Sequence, residues 1–234
     1  IAFSDVIGAR KGQVTESDSK LSGQSLFAFD AEADAYLVAL ADGQVLMIEA
    51  SEVTRAPLTT IDKTRSVCEL TFDASPACLV TDDMALVKQT ILRGRAVQAA
   101  DTLGAAQYML DQAVAYSLER KQFNRVVGSF QAVKHMCAEM ASQLEPCRAF
   151  TWYAGHAFDE GVDDAALTAC HAKAHLAEVG QFVAKTSTEV HGGMGFTDLM
   201  GLHFWFKRIG FNRQLLGSPE AVRHEAAVLQ GLCE

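Results

Sequence analysis

Leu118-Glu119-Arg120-Lys121-Gln122-Phe123, followed by Phe130-Gln131-Ala132-Val133 and later by Val190-His191-Gly192-Gly193-Met194-Gly195-Phe196, organises the reading of this chain. The first stretch closes one long helical pattern on an Arg-Lys pair, and the last closes another on a double glycine. An extended anionic ligand needs both: arginine offers paired donors to a phosphate, and glycines let backbone N–H groups come close. Each piece alone has a plainer explanation. Arg120-Lys121 suits a solvated helix C-terminus, where cations complement the helix dipole, and Gly192-Gly193 suits a helix stop. Their order and spacing together favour the anion site.

Around these stretches the chain falls into two rhythms. Residues 1–79 read as a small antiparallel β domain, with strands expected at Leu21–Phe29, Ala35–Leu40, Gly43–Ile48 and Val67–Phe72. Ala41-Asp42-Gly43 supplies a hairpin turn. Residues 80–234 read as an antiparallel four-helix-bundle domain, so the expected fold class is α+β. Thr81 is the expected cap of a first helix reaching about Arg120, with Val87, Ile91, Val97, Leu103 and Met109 at helical intervals. A second helix is expected over about Phe130–Phe158, interrupted near Pro146, and a third over Asp164–Val190. Ser218-Pro219-Glu220 opens a last one, with proline at its first turn.

Composition narrows the partners. The chain has 234 residues, 49% of them hydrophobic and 21% charged, with a net charge of -9. That is enough for a sizeable core, while no basic stripe points to nucleic acid. No window approaches the roughly eighteen uncharged apolar residues of a membrane span. Cys68, Cys78, Cys137, Cys147, Cys170 and Cys233 follow no metal or disulfide spacing, so reduced thiols and a cytoplasmic location are expected. His171 and His175 stand four apart, as in a two-histidine metal face, but no third ligand is placed, and helix-surface histidines are the expectation.

At these motifs the chain resembles the acyl-CoA dehydrogenase family. Leu118–Phe123, Phe130-Gln131 and Glu189–Thr197 are similar to that family's carboxy-terminal signature, and Lys20–Gly23 with Ala31–Asp34 is similar to its middle β domain. The resemblance implies FAD and the α,β-oxidation of acyl-CoA thioesters. A carboxylate takes the α proton while a hydride leaves for the flavin, inside a pocket that excludes water. It assigns Arg120 and Phe123 to the FAD diphosphate, Gln131 to the same half of the cofactor, and Glu189, Gly192 and Gly193 to the adenosine side. The family usually has Gln where Glu189 stands. In its oligomers these residues serve the FAD seated in a neighbouring subunit. The opening at Ile1 resembles the start of the family's β domain, so a preceding helical domain is expected to be missing from this sequence.

The departures fall on the catalytic side. One family position for the base is occupied by Leu216 and the other by Gly94; neither carries a carboxylate. Arg95 survives as a candidate contact to substrate, with an ordinary surface arginine as the alternative. Where the family has Trp and Thr against the flavin, Phe27 and Phe29 stand, and Phe29 has no hydroxyl. Ser4-Asp5 loosely matches a second flavin-facing pair. Asp101 and Asp111 read as solvated helix carboxylates, and Phe204-Trp205-Phe206 as core or interface.

Three functional expectations follow. The first is a base-lacking subunit of an α2β2 heteromer, resembling those of bacterial steroid catabolism. It would lend the diphosphate side to a homologous partner that carries the Glu, with an acyl-CoA substrate and an electron-transfer-flavoprotein-like acceptor. The second is a structural subunit that touches no cofactor. The third is a self-sufficient homotetramer with an unrecognised base.

Overall fold

Leu21, Ser25 and Ala28 are buried along one strand while Ser22, Gly23 and Gln24 face out, because register shifts break the simple alternation of a half-covered strand. This strand is β2 (Lys20–Phe29), the centre of a four-stranded antiparallel sheet that also contains β1 (Thr15–Ser17), β5 (Thr54–Pro57) and β6 (Val67–Pro76), in the order β1-β2-β6-β5. Bulges between Leu21 and Gly23 and between Ser25 and Ala28 shift its pairing with β6. Gly23 has φ +114, and a Cβ there would meet the Gln13 carbonyl oxygen at 1.8 Å, so only glycine fits. A second antiparallel sheet holds β3 (Ala35–Ala39), β4 (Val45–Glu49) and β7 (Cys78–Thr81) in that order. The expected turn joins β3 to β4, with Gly43 at φ +99. Tyr36, Val38, Leu46, Ile48, Leu70 and Phe72 fill the core of this unit. The Tyr36 hydroxyl is satisfied by the Asp30 carbonyl at 2.7 Å.

The computed structural model describes residues 1–3, 6–7 and 12–233. Two compact units divide it, Ile1–Ile91 and Leu92–Glu234. The first unit includes the opening turns of α1 (Met84–Glu119), whose Val87 and Ile91 pack with Ala39. The cap of α1 is displaced from expectation. Thr81 ends β7, and the Asp83 carboxylate accepts the Ala85 N–H at 2.8 Å.

In the second unit α1 continues for a total of 36 residues. It is followed by a two-stranded hairpin, β8 (Lys121–Gln122) and β9 (Arg125–Val126), then α2 (Gln131–Asp159), α3 (Ala165–His191), α4 (Leu202–Gln214) and α5 (Pro219–Leu229). α2 is not interrupted: Pro146 lies inside it. Leu144 and Cys147, on either side of the proline, are fully buried, and their packing offsets the missing backbone bond. α3 packs against α2, α4 and α5. Gly180 lets α1 and α4 come close; a Cβ there would meet Thr102 of α1 at 2.6 Å and Ile209 of α4 at 3.3 Å. Met109, Met140, Leu144, Leu176, Leu202 and Ile209 lie at the centre. The bundle thus has one more helix than expected, α4, with Trp205 packed on the core and against Tyr108 at 4.6 Å while Phe204 and Phe206 stay exposed. Ser218 caps α5, accepting the Ala221 N–H. The class remains α+β. Among the described residues no helix is long and apolar enough to cross a membrane.

Candidate functional site

α1 ends where the Arg120 N–H bonds the Tyr116 carbonyl at 2.9 Å. The chain reverses through β8 and β9, with Lys121 opposite Val126 and Gln122 opposite Arg125. The turn residues Phe123 and Asn124 both have positive φ, 51 and 61, which suits a two-residue hairpin of right-handed twist. The hairpin is tied to the helix that precedes it. Val127 N–H bonds the Arg120 carbonyl at 2.7 Å, and a Cβ on Gly128 would meet the Ser117 carbonyl oxygen at 2.8 Å. Gln131 opens α2 directly after this contact, so the structure brings Arg120, Phe123 and Gln131 together. The Gln131 amide lies 3.5 Å from the His135 ring.

A second link draws in the glycines. Tyr116, one turn before Arg120, stacks on His191 with centroids 4.6 Å apart. His191 is the last residue of α3 and is 2% exposed; its Nδ1 pairs with the Ser187 carbonyl at 2.7 Å. Burial lowers its pKa, partly offset by that hydrogen bond, so at neutral pH the imidazole is uncharged and Nδ1–H donates to Ser187. Gly192 follows at φ 58, and a Cβ on Gly192 or Gly193 would meet nothing. Gly195 closes back over the helix end: a Cβ there would meet the Thr188 carbonyl oxygen at 2.7 Å. Glu189, Gly192 and Gly193 are all exposed.

Arg120 is exposed as well, and among the described residues its guanidinium has no carboxylate partner. Phe123 is 87% exposed. An unpaired guanidinium, an outward aromatic ring and two open glycines fit the diphosphate and adenosine half of a dinucleotide. The sequence did not point to Tyr116 or Gly128, because each joins this region through a contact to a separate segment.

The two positions for a base meet each other. A Cβ on Gly94 would lie 2.6 Å from Leu216 Cδ1, so the leucine side chain fills that space. Leu216 itself has φ 57, and its carbonyl accepts Arg95 Nε at 2.9 Å. Arg95, expected as a substrate contact or a surface residue, is 3% exposed and turned inward. Its Nη1 pairs with Glu225 at 2.7 Å and donates to the Cys170 sulfur at 3.3 Å. It pins the Leu216 loop to α3 and α5. Burial pushes the Cys170 thiol up to about 11 even beside this cation, so the thiol is inert.

Other candidates resolve into packing. Asp101, expected as a solvated carboxylate, is gripped by Arg208 through Nε and Nη2 and accepts Asn212 Nδ2 at 2.6 Å. Asn212 also donates to Thr102, and its carbonyl accepts from the buried Lys173. Asp111 accepts the Gln107 amide. His171 and His175 are exposed and line an open pocket of about 460 Å³ with Pro146, Phe150, Ala174 and Arg223. Among the described residues no three His, Cys, Asp or Glu side chains gather to hold a metal ion. The six cysteines are free. In the β unit Phe27 and Phe29 are half-buried and meet edge to face at 5.2 Å. Ser4 and Asp5 lie outside the described residues.

A family model described as "Acyl-CoA dehydrogenase, C-terminal domain" matches residues 84–227, more than half of the chain. Acyl-CoA dehydrogenase IpdE2 of Mycolicibacterium smegmatis is 32% identical over 179 residues, covering 76% of this chain and 53% of that protein. The chain therefore spans about half of that relative's length. Among solved structures, a variant of the Tcur3481-Tcur3483 steroid ACAD superposes with a TM-score of 0.84 at 26% identity, over 94% of this chain and 62% of that one. Acyl-CoA dehydrogenase from Geobacillus kaustophilus has a TM-score of 0.87 at 21% identity, over 94% and 63%.

Proposed function

The chain belongs to the acyl-CoA dehydrogenase family, and from that membership we propose that it is the base-lacking subunit of an FAD-dependent acyl-CoA dehydrogenase. The enzyme is an α2β2 heteromer that desaturates an acyl-CoA thioester at its α,β carbons. The partner is a homologous chain that carries the catalytic Glu. This chain contributes Arg120, Phe123, Gln131, Glu189, Gly192 and Gly193 to the diphosphate and adenosine side of the partner's FAD. When bound, FAD supplies the hydride acceptor, and an electron-transfer-flavoprotein-like protein takes the electrons onward. A steroid-derived CoA ester is the proposed substrate, on the likeness to a structure described as a steroid ACAD.

The observation that carries this reading is the state of Arg120. In a chain of net charge -9 it stands exposed without a carboxylate partner, on the end of the bundle that the Tyr116–His191 stack shares with Gly192 and Gly193. A cation so placed is suited to an anion from outside the chain. Leu216 supports the base-lacking half of the proposal, because its side chain occupies the point where both base positions converge. Arg95 then holds that loop rather than a substrate.

The test is Arg120→Ala in the purified complex, read as FAD affinity. Loss of a charge-assisted pair should weaken binding by about 1.5–3 kcal/mol, roughly tenfold to a hundredfold. Unchanged FAD affinity would overturn the proposal.

A further inference from the structure

The guanidinium carbon of Arg125 lies 3.8 Å from the centroid of the Phe130 ring, close contact for a cation on an aromatic face. The edge-to-face contact between Phe130 and Phe123, 6.1 Å between centroids and 78° between planes, continues the chain of contacts to the hairpin tip. Phe130 is itself fixed, half-buried at the start of α2 with its N–H on the Val127 carbonyl. A stacked guanidinium keeps its plane but leaves the N–H donors around its rim available. No carboxylate takes them: among the described residues Arg125 is in no ion pair.

The hairpin register settles which way it points. Gln122 is opposite Arg125, and the Val127 N–H bonds the Arg120 carbonyl. Residues opposite one another share a face, as do residues two apart on a strand. Arg120, Gln122 and Arg125 therefore lie on one face of the ribbon, with Lys121 and Val126 on the other. Neither arginine is in an ion pair among the described residues, in a protein with 29 acidic residues.

We propose that Arg125, held on the Phe130 ring, is a second arginine for the diphosphate assigned above to Arg120. The two guanidiniums converge on it from the same face of the hairpin. The inference rests on the proposed FAD site.

It is tested by titrating FAD into the deflavinated complex made with wild-type, Arg125→Gln, Arg125→Lys, Phe130→Leu or Arg120→Ala chains, with the thermal midpoint of each flavin-free complex measured in parallel. Arg125→Gln should weaken FAD binding about tenfold, as for loss of a charge-assisted hydrogen bond, with the midpoint unchanged. Arg125→Lys should restore only part of the affinity, because an ammonium lacks the planar fork. Phe130→Leu should weaken binding less than Arg125→Gln. Wild-type affinity in Arg125→Gln while Arg120→Ala is weakened would overturn the role of Arg125 and leave the FAD site standing. A midpoint lowered in Arg125→Gln, with FAD affinity unchanged, would reduce Arg125 to a structural brace and overturn it too. Wild-type affinity in Arg120→Ala as well would remove the FAD site itself.

Discussion

Leu216 and Phe123 share a backbone conformation that side chains rarely adopt, with φ of 57 and 51. Such strain persists only where surrounding contacts hold it, and it gathers at functional sites. Phe123 is held by its hairpin and by Phe130, and Leu216 by the hydrogen bond from Arg95 to its carbonyl. Motif alignment singled out Leu216 and Gly94 in the sequence but not the fact that they meet, since they lie on distant segments. That contact predicts a specific coupling. Gly94→Ala is expected to cost about 1 kcal/mol, at the low end of overpacking, because the terminal methyl of Leu216 has room to swing. In a Leu216→Ala background the cost should give way to a small gain, because Ala suits a helix interior better than Gly. Urea denaturation of the four chains of this double-mutant cycle measures the difference, and equal costs in both backgrounds would refute the contact.

The long helices were legible in outline, and α1 and α3 end within a residue or so of expectation. Of the α1 residues expected at helical intervals, Val87, Ile91, Leu103 and Met109 are buried but Val97 is exposed. The shorter elements were not legible. The hairpin β8–β9 turns on Phe123-Asn124 without a glycine, so no standard turn signal marks it. β5 ends on Pro57, a residue that argues against a strand except at a sheet edge, where β5 lies. Pro146 reads as a break, yet packing on both sides carries α2 through it. The end of α3 also makes a prediction about pH. Burial holds the His191 pKa below its ordinary 6.5, so the unfolded chain binds this proton more readily than the folded one. Its contribution to stability is complete above pH 6.5 and is lost as the pH falls from there through the folded pKa. His191→Gln should therefore flatten the fall in urea midpoint between pH 7.5 and 5.5 (roughly the histidine range). A fall as steep as in the wild type would show that another group is responsible.

On the proposed reading, the chain supplies residues for the anionic half of a dinucleotide, while Leu216 and Gly94 stand at the family's two base positions. The proposed set of Arg120, Gln131, Gly192 and Gly193 is read from motif spacing. Tyr116 and Gly128, which tie these segments to one another, emerge only when the chain is folded. The proposed imbalance between the cofactor side and the base positions requires a second, homologous chain to carry the catalytic Glu. Native mass spectrometry of the complex isolated from its source, counting polypeptides and flavins, tests it most directly. Two different chains with one FAD per pair are expected. A homotetramer of this chain carrying four FADs would overturn the base-lacking proposal and place an unrecognised base within this sequence.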